Sequence, residues 1–248
     1  MIDRAKAAGC SALVVTLDLQ VLGQRHKDIK NGLSTPPKPS LKNWLNLATK
    51  LTWCWHMSRS KHRTFGNIVG HVADVKDIRS LSSWTAEQFD LGLNWDLIKQ
   101  IRDYWQGKLI LKEIMEVEDA LLALEYGADA IVVSNHGGRQ LDGALASIEA
   151  LPAIVDAVGD RMEVWFDGEI RGGQDVLRAW ALGAKGTLIG RAYIYGLGAY
   201  GQAGVKRSLE IIHKELDISM AFCGHTQLRH VGKDILVAHT CPLAQPSN

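Results

Sequence analysis

The sequence predicts an α/β fold, an incomplete TIM (β/α)8 barrel, and three observations support this prediction. Short apolar runs alternate with helical segments. A glycine follows several of those helices, as expected where a helix ends. Each apolar run ends in a polar residue or a glycine, and the carboxyl ends of parallel strands form the active rim of a barrel. The runs number five, whereas a complete barrel has eight strands.

The predicted strands and helices follow each other in regular order. The strands are residues 12–18, 109–112, 130–134, 164–167 and 187–190. Helices are predicted between the later strands, over 118–126, 148–158 and 174–182, and they end at Gly127, Gly159 and Gly183. A doubly wound sheet would gather its ligands mainly at one switch point. Polar residues or glycines at the end of every strand favour the barrel instead.

The composition excludes several classes of protein. A net charge of +1 over 248 residues argues against a polycation, so we expect no nucleic-acid partner. The four cysteines form no CxxC pair, which argues against a zinc site or a disulfide framework. We therefore expect no metal site and a reducing compartment. The hydrophobic fraction of 46% is enough for a substantial core.

Residues 32–105 interrupt the strand–helix order and are too long for a simple βα connection, so we predict an extended insertion. No Asp or Glu occurs between Ile29 and Ala73, although seven Lys or Arg residues do. Residues 37–63 also contain three tryptophans and are too short to span a bilayer. We predict that they bind a membrane surface. The alternative is a basic lid over an anionic substrate. The side chains at helix-face spacing are Trp44, Leu45, Leu47, Ala48, Leu51 and Trp55.

The strongest motif is SNHGGRQLDG at residues 134–143, directly after a predicted strand. His136 lies three residues before Arg139, with two glycines between them. The glycines let the backbone approach a flat ligand. Histidine can act as a base, and the arginine fork can bind a carboxylate through two hydrogen bonds. A base beside a carboxylate clamp suits the oxidation of an α-hydroxy acid.

A second motif joins the ends of the last two predicted strands. It consists of DGEIRGG at residues 167–173 and IGR at residues 189–191. Glycine amides with Arg171 and Arg191 predict a phosphate site at the usual barrel position. Alone, this motif indicates only a phosphorylated ligand, so another phosphate-binding or FMN-binding barrel is an alternative.

Together the motifs resemble the FMN-dependent α-hydroxy-acid dehydrogenases, the family of bacterial L-lactate dehydrogenases and glycolate oxidases. The resemblance runs from Ile2 to Val237 and includes TLD at 16–18, LGQR at 22–25 and IGRAYIYGL at 189–197. The SNHGGRQLDG run is highly specific to that family. FGNI at 65–68 and SSWTAEQF at 82–89 look most similar to the bacterial L-lactate dehydrogenase branch.

The resemblance implies roles for particular residues. His136 would be the catalytic base and Asp18 would pair with it. Arg139 would bind the substrate carboxylate with help from Arg25, and Lys112 would stabilise the reduced flavin. The cofactor FMN would be held by Thr16, Lys112, Ser134, Asp167, Gly168, Arg171, Gly190 and Arg191.

Two departures from the family pattern alter these expectations. Glu169 stands where the family usually has a glycine, and we expect its charge to weaken FMN binding. The resemblance also assigns the five runs to strands four to eight. Residues 1–248 would then be the C-terminal part of a single FMN-binding barrel domain, truncated at its N-terminus. Since the remaining part carries further flavin and substrate contacts, we expect the 248 residues alone to retain FMN weakly or not at all.

The resulting functional prediction is the oxidation of an L-2-hydroxy acid, L-lactate to pyruvate, with electrons passed to a quinone or the respiratory chain. The alternative is a non-catalytic remnant of the family. We expect a 2-hydroxy acid, a quinone or other acceptor and a membrane surface as partners, and a homo-oligomer when the protein is complete. The expected location is peripheral, at the cytoplasmic face of the inner or plasma membrane, or cytoplasmic.

Overall fold

The computed structural model describes residues 1–21, 23, 26–31, 40–60, 66–68 and 91–237. The strands are β1 Ala12–Thr16, β2 Lys108–Ile114, β3 Ala130–Val133, β4 Glu163–Asp167 and β5 Gly186–Leu188. The α-helices are α1 Ile2–Ala7, α2 His26–Lys30, α3 Leu41–Ala48, α4 Leu51–Arg59, α5 Trp95–Tyr104, α6 Val117–Glu125, α7 Ser147–Val158, α8 Gly173–Ala181 and α9 Arg191–Phe222. Short 3-10 helices cover His136–Gly138, Leu228–His230 and Lys233–Ile235.

The described chain divides into two compact units, residues 1–18 with 92–248, and residues 19–91. In the first unit all five strands are parallel and pair in the order β1-β2-β3-β4-β5. The predicted α/β fold with a parallel sheet is confirmed. Because all five strands are parallel, every strand contributes its carboxyl end to the same edge of the sheet.

The helices between the later strands begin and end within a residue or so of their predicted bounds. Gly127 and Gly183 follow α6 and α8 with φ angles of +79° and +106°. Only glycine adopts such angles without a steric cost, so these two residues can end a helix and turn the chain into the next strand.

Side chains on the two faces of the sheet alternate as they do in any strand. One face packs with α6 and α7 into the main hydrophobic core. Its strand side chains include Leu109, Leu111, Ile131, Val133, Val164 and Phe166. The opposite face, here called the inner face, carries the smaller cluster of Ile110, Ala130, Val132, Trp165 and Leu188.

The second unit contains the predicted amphipathic segment as two helices. The apolar side chains at helix-face spacing fall on α3 and α4, which are separated at Thr49 and Lys50. Ser40 caps α3 by accepting a hydrogen bond from the Asn43 backbone N–H at 3.2 Å. Neither helix has a buried residue. No helix among the described residues is long and apolar enough to cross a membrane.

Candidate active site

The inner face becomes polar where its strands reach their carboxyl ends. Side chains two residues apart in a strand lie on the same face, so the polar residues continue the apolar series of the inner face. In strand order they are Thr16, Lys112, Ser134 and Asp167. The sheet therefore brings residues that are far apart in sequence to one edge.

Lys112 is the centre of a buried polar network. Its Nζ donates to Ser134 Oγ at 3.1 Å and lies 2.8 Å from Asp167 Oδ2. The Ser134 hydroxyl in turn donates to Asp167 Oδ2 at 3.0 Å and is fully buried. Burial lowers the pKa of Lys112, but the hydrogen bonds that it donates to Asp167 and Glu113 outweigh this effect and leave the pKa raised. Lys112 is therefore a firmly held cation.

His136 pairs with Asp18 as the sequence analysis predicted. The ring Nδ1 lies 3.1 Å from Asp18 Oδ2, and the backbone N–H of His136 donates to Ser134 Oγ at 3.1 Å. Gln140 Nε2 donates to the Asp18 carbonyl at 2.8 Å and ties the two loops together. With Nδ1–H given to the carboxylate, Nε2 is the ring nitrogen that can accept a proton.

Glu113 is a site residue that the sequence analysis missed. It lies at a bulge of β2, between two residues that pair in register with β3, and its φ is +79°. Its side chain is 1% exposed and lies against Lys112, with Oε1 3.2 Å from His136 Nδ1. Its other oxygen, Oε2, is buried without a hydrogen-bond partner. A buried acid in a left-handed conformation is costly on both counts.

The acids around His136 influence each other. Burial raises the pKa of Asp18, and the negative charge of Glu113 raises it further, while the hydrogen bond with His136 acts in the opposite direction. Asp18, Glu113 and His136 offer ligand atoms that lie within 4.8 Å of one another, the spacing of a metal site. Lys112 already supplies a cation to Glu113, so we interpret the cluster as an ion-pair network.

A cavity of about 600 Å³ opens over this edge of the sheet. Its size is typical of a small-molecule or cofactor pocket. The predicted site residues in its wall are Lys112, His136, Arg139, Asp167, Gly168, Arg171, Gly190 and Arg191. The structure therefore brings most of the predicted base, clamp and phosphate residues to one cavity.

The arginines of the predicted phosphate site meet at one carboxylate. Arg171 Nη2 lies 3.0 Å from Glu169 Oε2, and Arg191 Nη2 lies 2.9 Å from Glu169 Oε1. Gly190 is the N-cap of α9 and Arg191 its first residue, so the helix directs its free N–H groups toward this region. Glu169 itself has a φ of +54°.

The residues present fit FMN, with one opposing group. The cavity volume, the two arginines and the open space around Gly190, where an added Cβ would meet nothing within 4 Å, suit a phosphorylated ring compound. Glu169 opposes a phosphate because it lies between the arginines.

Three described residues of the predicted site, Thr16, Asp18 and Ser134, are not among the residues that line the cavity. Thr16 ends β1 and pairs in register with Lys112. Arg25, predicted to assist with the substrate carboxylate, lies outside the described residues. The roles of Thr16 and Arg25 remain predictions.

The fold and the site together define a parallel α/β protein with an acid–base pair beside a site for a phosphorylated ligand. A sequence profile of the FMN-dependent dehydrogenase family matches residues 1–238. The chain therefore belongs to the FMN-dependent dehydrogenase family.

Individual relatives agree with this assignment. The chain is 44% identical over 237 residues to an L-lactate dehydrogenase of Caulobacter vibrioides (strain NA1000 / CB15N), covering 95% of this chain and 62% of that protein. It is 41% identical over 238 residues to an L-lactate dehydrogenase of Actinobacillus pleuropneumoniae serotype 5b (strain L20), covering 96% of this chain and 62% of that protein. The chain thus spans about 62% of the length of these relatives.

Solved structures give the same result. The structure of a monotopic membrane protein, (S)-mandelate dehydrogenase, superposes with a TM-score of 0.88 at 32% identity, covering 95% of this chain and 62% of that one. A soluble mutant of the membrane-associated (S)-mandelate dehydrogenase from Pseudomonas putida superposes with a TM-score of 0.73 at 31% identity, covering 95% and 60% of the two chains.

Proposed function

We propose that residues 1–248 form the C-terminal part of a TIM-barrel enzyme, strands four to eight, that uses FMN to oxidise an L-2-hydroxy acid. L-lactate, giving pyruvate, is the proposed substrate, because two of the relatives are L-lactate dehydrogenases. The observation that carries the proposal is the pairing of His136 with Asp18. His136 lines the same cavity as Arg139 and the two arginines of the predicted phosphate site.

Arg139 would bind and orient the substrate. Its guanidinium offers parallel N–H donors that match a carboxylate, and Arg25 would assist it. A carboxylate held at Arg139 would place the neighbouring hydroxyl of a 2-hydroxy acid toward His136, since both residues line the same cavity. The clamp would thus fix which proton the base can reach.

His136 would accept the hydroxyl proton at Nε2. Asp18 holds the opposite ring nitrogen at 3.1 Å, which orients the imidazole and stabilises the imidazolium formed by proton transfer. The FMN, when bound, supplies the acceptor for the electron pair that leaves the substrate. Lys112 would place a positive charge where negative charge develops. Glu113 and Asp167 offset part of the positive charge of Lys112.

The cofactor is tested by extracting it from a full-length protein. If the proposal is right, such a protein is made by placing the N-terminal part of the Caulobacter vibrioides relative before Met1. Denaturation should release FMN, identified by its mass, because the arginine pair suits a single phosphate. Release of FAD, or of a nicotinamide nucleotide without a flavin, would contradict the proposal. Failure of any flavin to bind would favour a non-catalytic remnant of the family.

We further propose that residues 37–63 bind a membrane surface and that electrons pass to a quinone there. We also propose that the complete protein is a homo-oligomer. Within the described part of this segment, most of the bulky apolar side chains are exposed. Trp44 is 62% exposed, Leu51 75% and Trp55 56%. Exposed tryptophans beside lysines suit the headgroup region of an anionic bilayer. One structural neighbour is a monotopic membrane protein.

Sedimentation with vesicles tests the membrane proposal. The full-length protein should sediment with anionic vesicles, and deletion of residues 37–63 should leave it in the supernatant. Each lysine near an anionic surface contributes about 1 kcal/mol, so raising the salt concentration should release the protein. Neutral vesicles are the control. If both proteins stay in the supernatant with anionic vesicles at low salt, the segment is better interpreted as a lid.

A further inference from the structure

Glu169 occupies an unusual position between the two arginines of the predicted phosphate site. One carboxylate oxygen lies 3.0 Å from Arg171 and the other lies 2.9 Å from Arg191. The arginines follow two different strands, β4 and β5, and are 20 residues apart in sequence. A single side chain thus joins the two strand ends that would otherwise share a phosphate.

The backbone of Glu169, which places its carboxylate between the two arginines, has a strained conformation. Its φ of +54° lies in the left-handed region, which disfavours residues with a Cβ. A glycine, the residue usual in the resembling family, would adopt the same backbone without that cost and without a carboxylate. The presence of an acid here is therefore a property of this chain and not a requirement of the turn.

Arg191 is held in place from a second side. A Cβ added at Gly137 would come within 2.7 Å of Arg191 Nη2, so the guanidinium lies directly against the glycine loop that follows His136. Arg191 therefore extends across the cavity between that loop and Glu169. A ligand phosphate that used Arg191 would compete with Glu169 for the same N–H donors.

Carboxylate and phosphate are alternative partners for such an arginine pair. Each presents oxygens that accept charge-assisted hydrogen bonds from guanidinium groups. We propose that the Glu169 carboxylate is an internal substitute for the ligand phosphate. It binds Arg171 and Arg191 and must be displaced before a phosphorylated ligand can bind there. This inference rests on the proposed function for the identity of the ligand, FMN.

The solvent exposure of the three groups sets the size of the expected effect. The side chains of Arg171, Glu169 and Arg191 are 70%, 54% and 44% exposed, so water weakens the two ion pairs. Glu169 should therefore reduce phosphate binding and not abolish it. We expect a change of about tenfold in affinity, the effect of roughly one charge-assisted hydrogen bond.

Comparison of FMN with riboflavin isolates the phosphate contribution, because the two flavins differ only in that group. Equilibrium dialysis of the full-length protein described under Proposed function should give similar affinities for both. The Glu169→Gln variant keeps the side-chain size and the same backbone demand but loses the charge. It should bind FMN about tenfold more tightly while its affinity for riboflavin is unchanged. Glu169→Gly should show at least the same gain, and circular dichroism would verify that both variants are folded.

Two controls identify the source of the gain. Glu125→Gln changes the net charge by the same amount at an exposed position on α6 and should leave the ratio of FMN to riboflavin affinity unchanged. Replacing Arg191 by Gln in the Glu169→Gln background should remove the gain. An unchanged ratio in both Glu169 variants, or no FMN binding by them, would overturn the inference. A raised ratio in a protein that oxidises no hydroxy acid would leave the inference standing and refute the proposed function.

Discussion

Replacement of His136 by Gln in the full-length protein should slow substrate-driven flavin reduction by about 10²- to 10⁴-fold, the usual contribution of a positioned general base. Glutamine is close to histidine in size but cannot take a proton at neutral pH. The cavity wall and the arginine pair that would hold the phosphate are unchanged, so FMN should stay bound. Anaerobic stopped-flow measurement of flavin absorbance gives the rate, and the bound flavin content gives the control.

Arg139→Lys is the matched variant for the substrate clamp. Lysine keeps the positive charge but cannot make the two parallel hydrogen bonds of a guanidinium. The apparent substrate constant should rise about tenfold or more, while reduction at saturating substrate should fall less than in His136→Gln. Near-normal reduction by the His136 variant would mean that another residue is the base.

The second large effect is expected at Glu113, where replacement by glycine should stabilise the 248-residue chain by about 1–3 kcal/mol. Glycine removes the left-handed strain at a φ of +79° and the buried Oε2 that has no partner. Lys112 keeps its ion pair with Asp167 at 2.8 Å and its hydrogen bond to Ser134. Urea unfolding of parent and variant measures the difference.

Glu113→Ala separates the effect of the backbone strain on stability from the effect of the buried carboxylate. Alanine removes the carboxylate but keeps a Cβ at the same backbone angle, so it should recover less stability than glycine, by about 1 kcal/mol. Equal stability of the two variants would mean that the backbone carries no strain. Loss of stability in both would mean that Glu113 is a favourable partner of Lys112 and His136.

The pH dependence of the free energy of unfolding should show the effect of Glu113 on Asp18. Burial and the charge of Glu113 raise the pKa of Asp18 in the folded protein above its ordinary value of 3.8. The folded state then binds the proton more tightly than the unfolded state, so Asp18 favours folding below 3.8 and loses that contribution as pH rises through its folded pKa. Glu113→Gln removes the charge that raises the pKa of Asp18, so the pH range over which Asp18 favours folding should become narrower. Parallel stability–pH profiles for parent and variant would show that Glu113 has no such effect on Asp18.

The parallel sheet and most of the site could be predicted because they follow from local regularities. The periodicity of apolar runs, helices and glycines placed Lys112 and Asp167 at strand ends, and a strand end fixes the edge of the sheet at which a residue lies. The pairing of His136 with Asp18 could not come from this periodicity. It came from the resemblance to a family, and the structure places the two side chains 3.1 Å apart.

Glu113 and Glu169 show where reasoning from sequence stopped. The sequence analysis ended this strand at Lys112, whereas the structure continues it to Ile114. Nothing in the sequence LILKEI marks the bulge at Glu113, because tertiary pairing with β3 determines it. Glu169 was expected to repel a phosphate. The structure adds that it is attracted to both arginines, which depends on the spatial approach of two strand ends. The segment α9 was not predicted either. Its backbone is non-helical at Tyr200 and Gly201, so it consists of two helices joined at a kink.

The central claim is that the cavity around His136 serves the oxidation of an L-2-hydroxy acid by FMN. Anaerobic mixing of the full-length protein with L-lactate tests it most directly, with D-lactate as the matched control. The account predicts that L-lactate bleaches the flavin absorbance, that D-lactate does not, and that His136→Gln slows the bleaching by about 10²- to 10⁴-fold. A flavin that binds normally and stays oxidised with L-lactate and with other L-2-hydroxy acids would contradict the account.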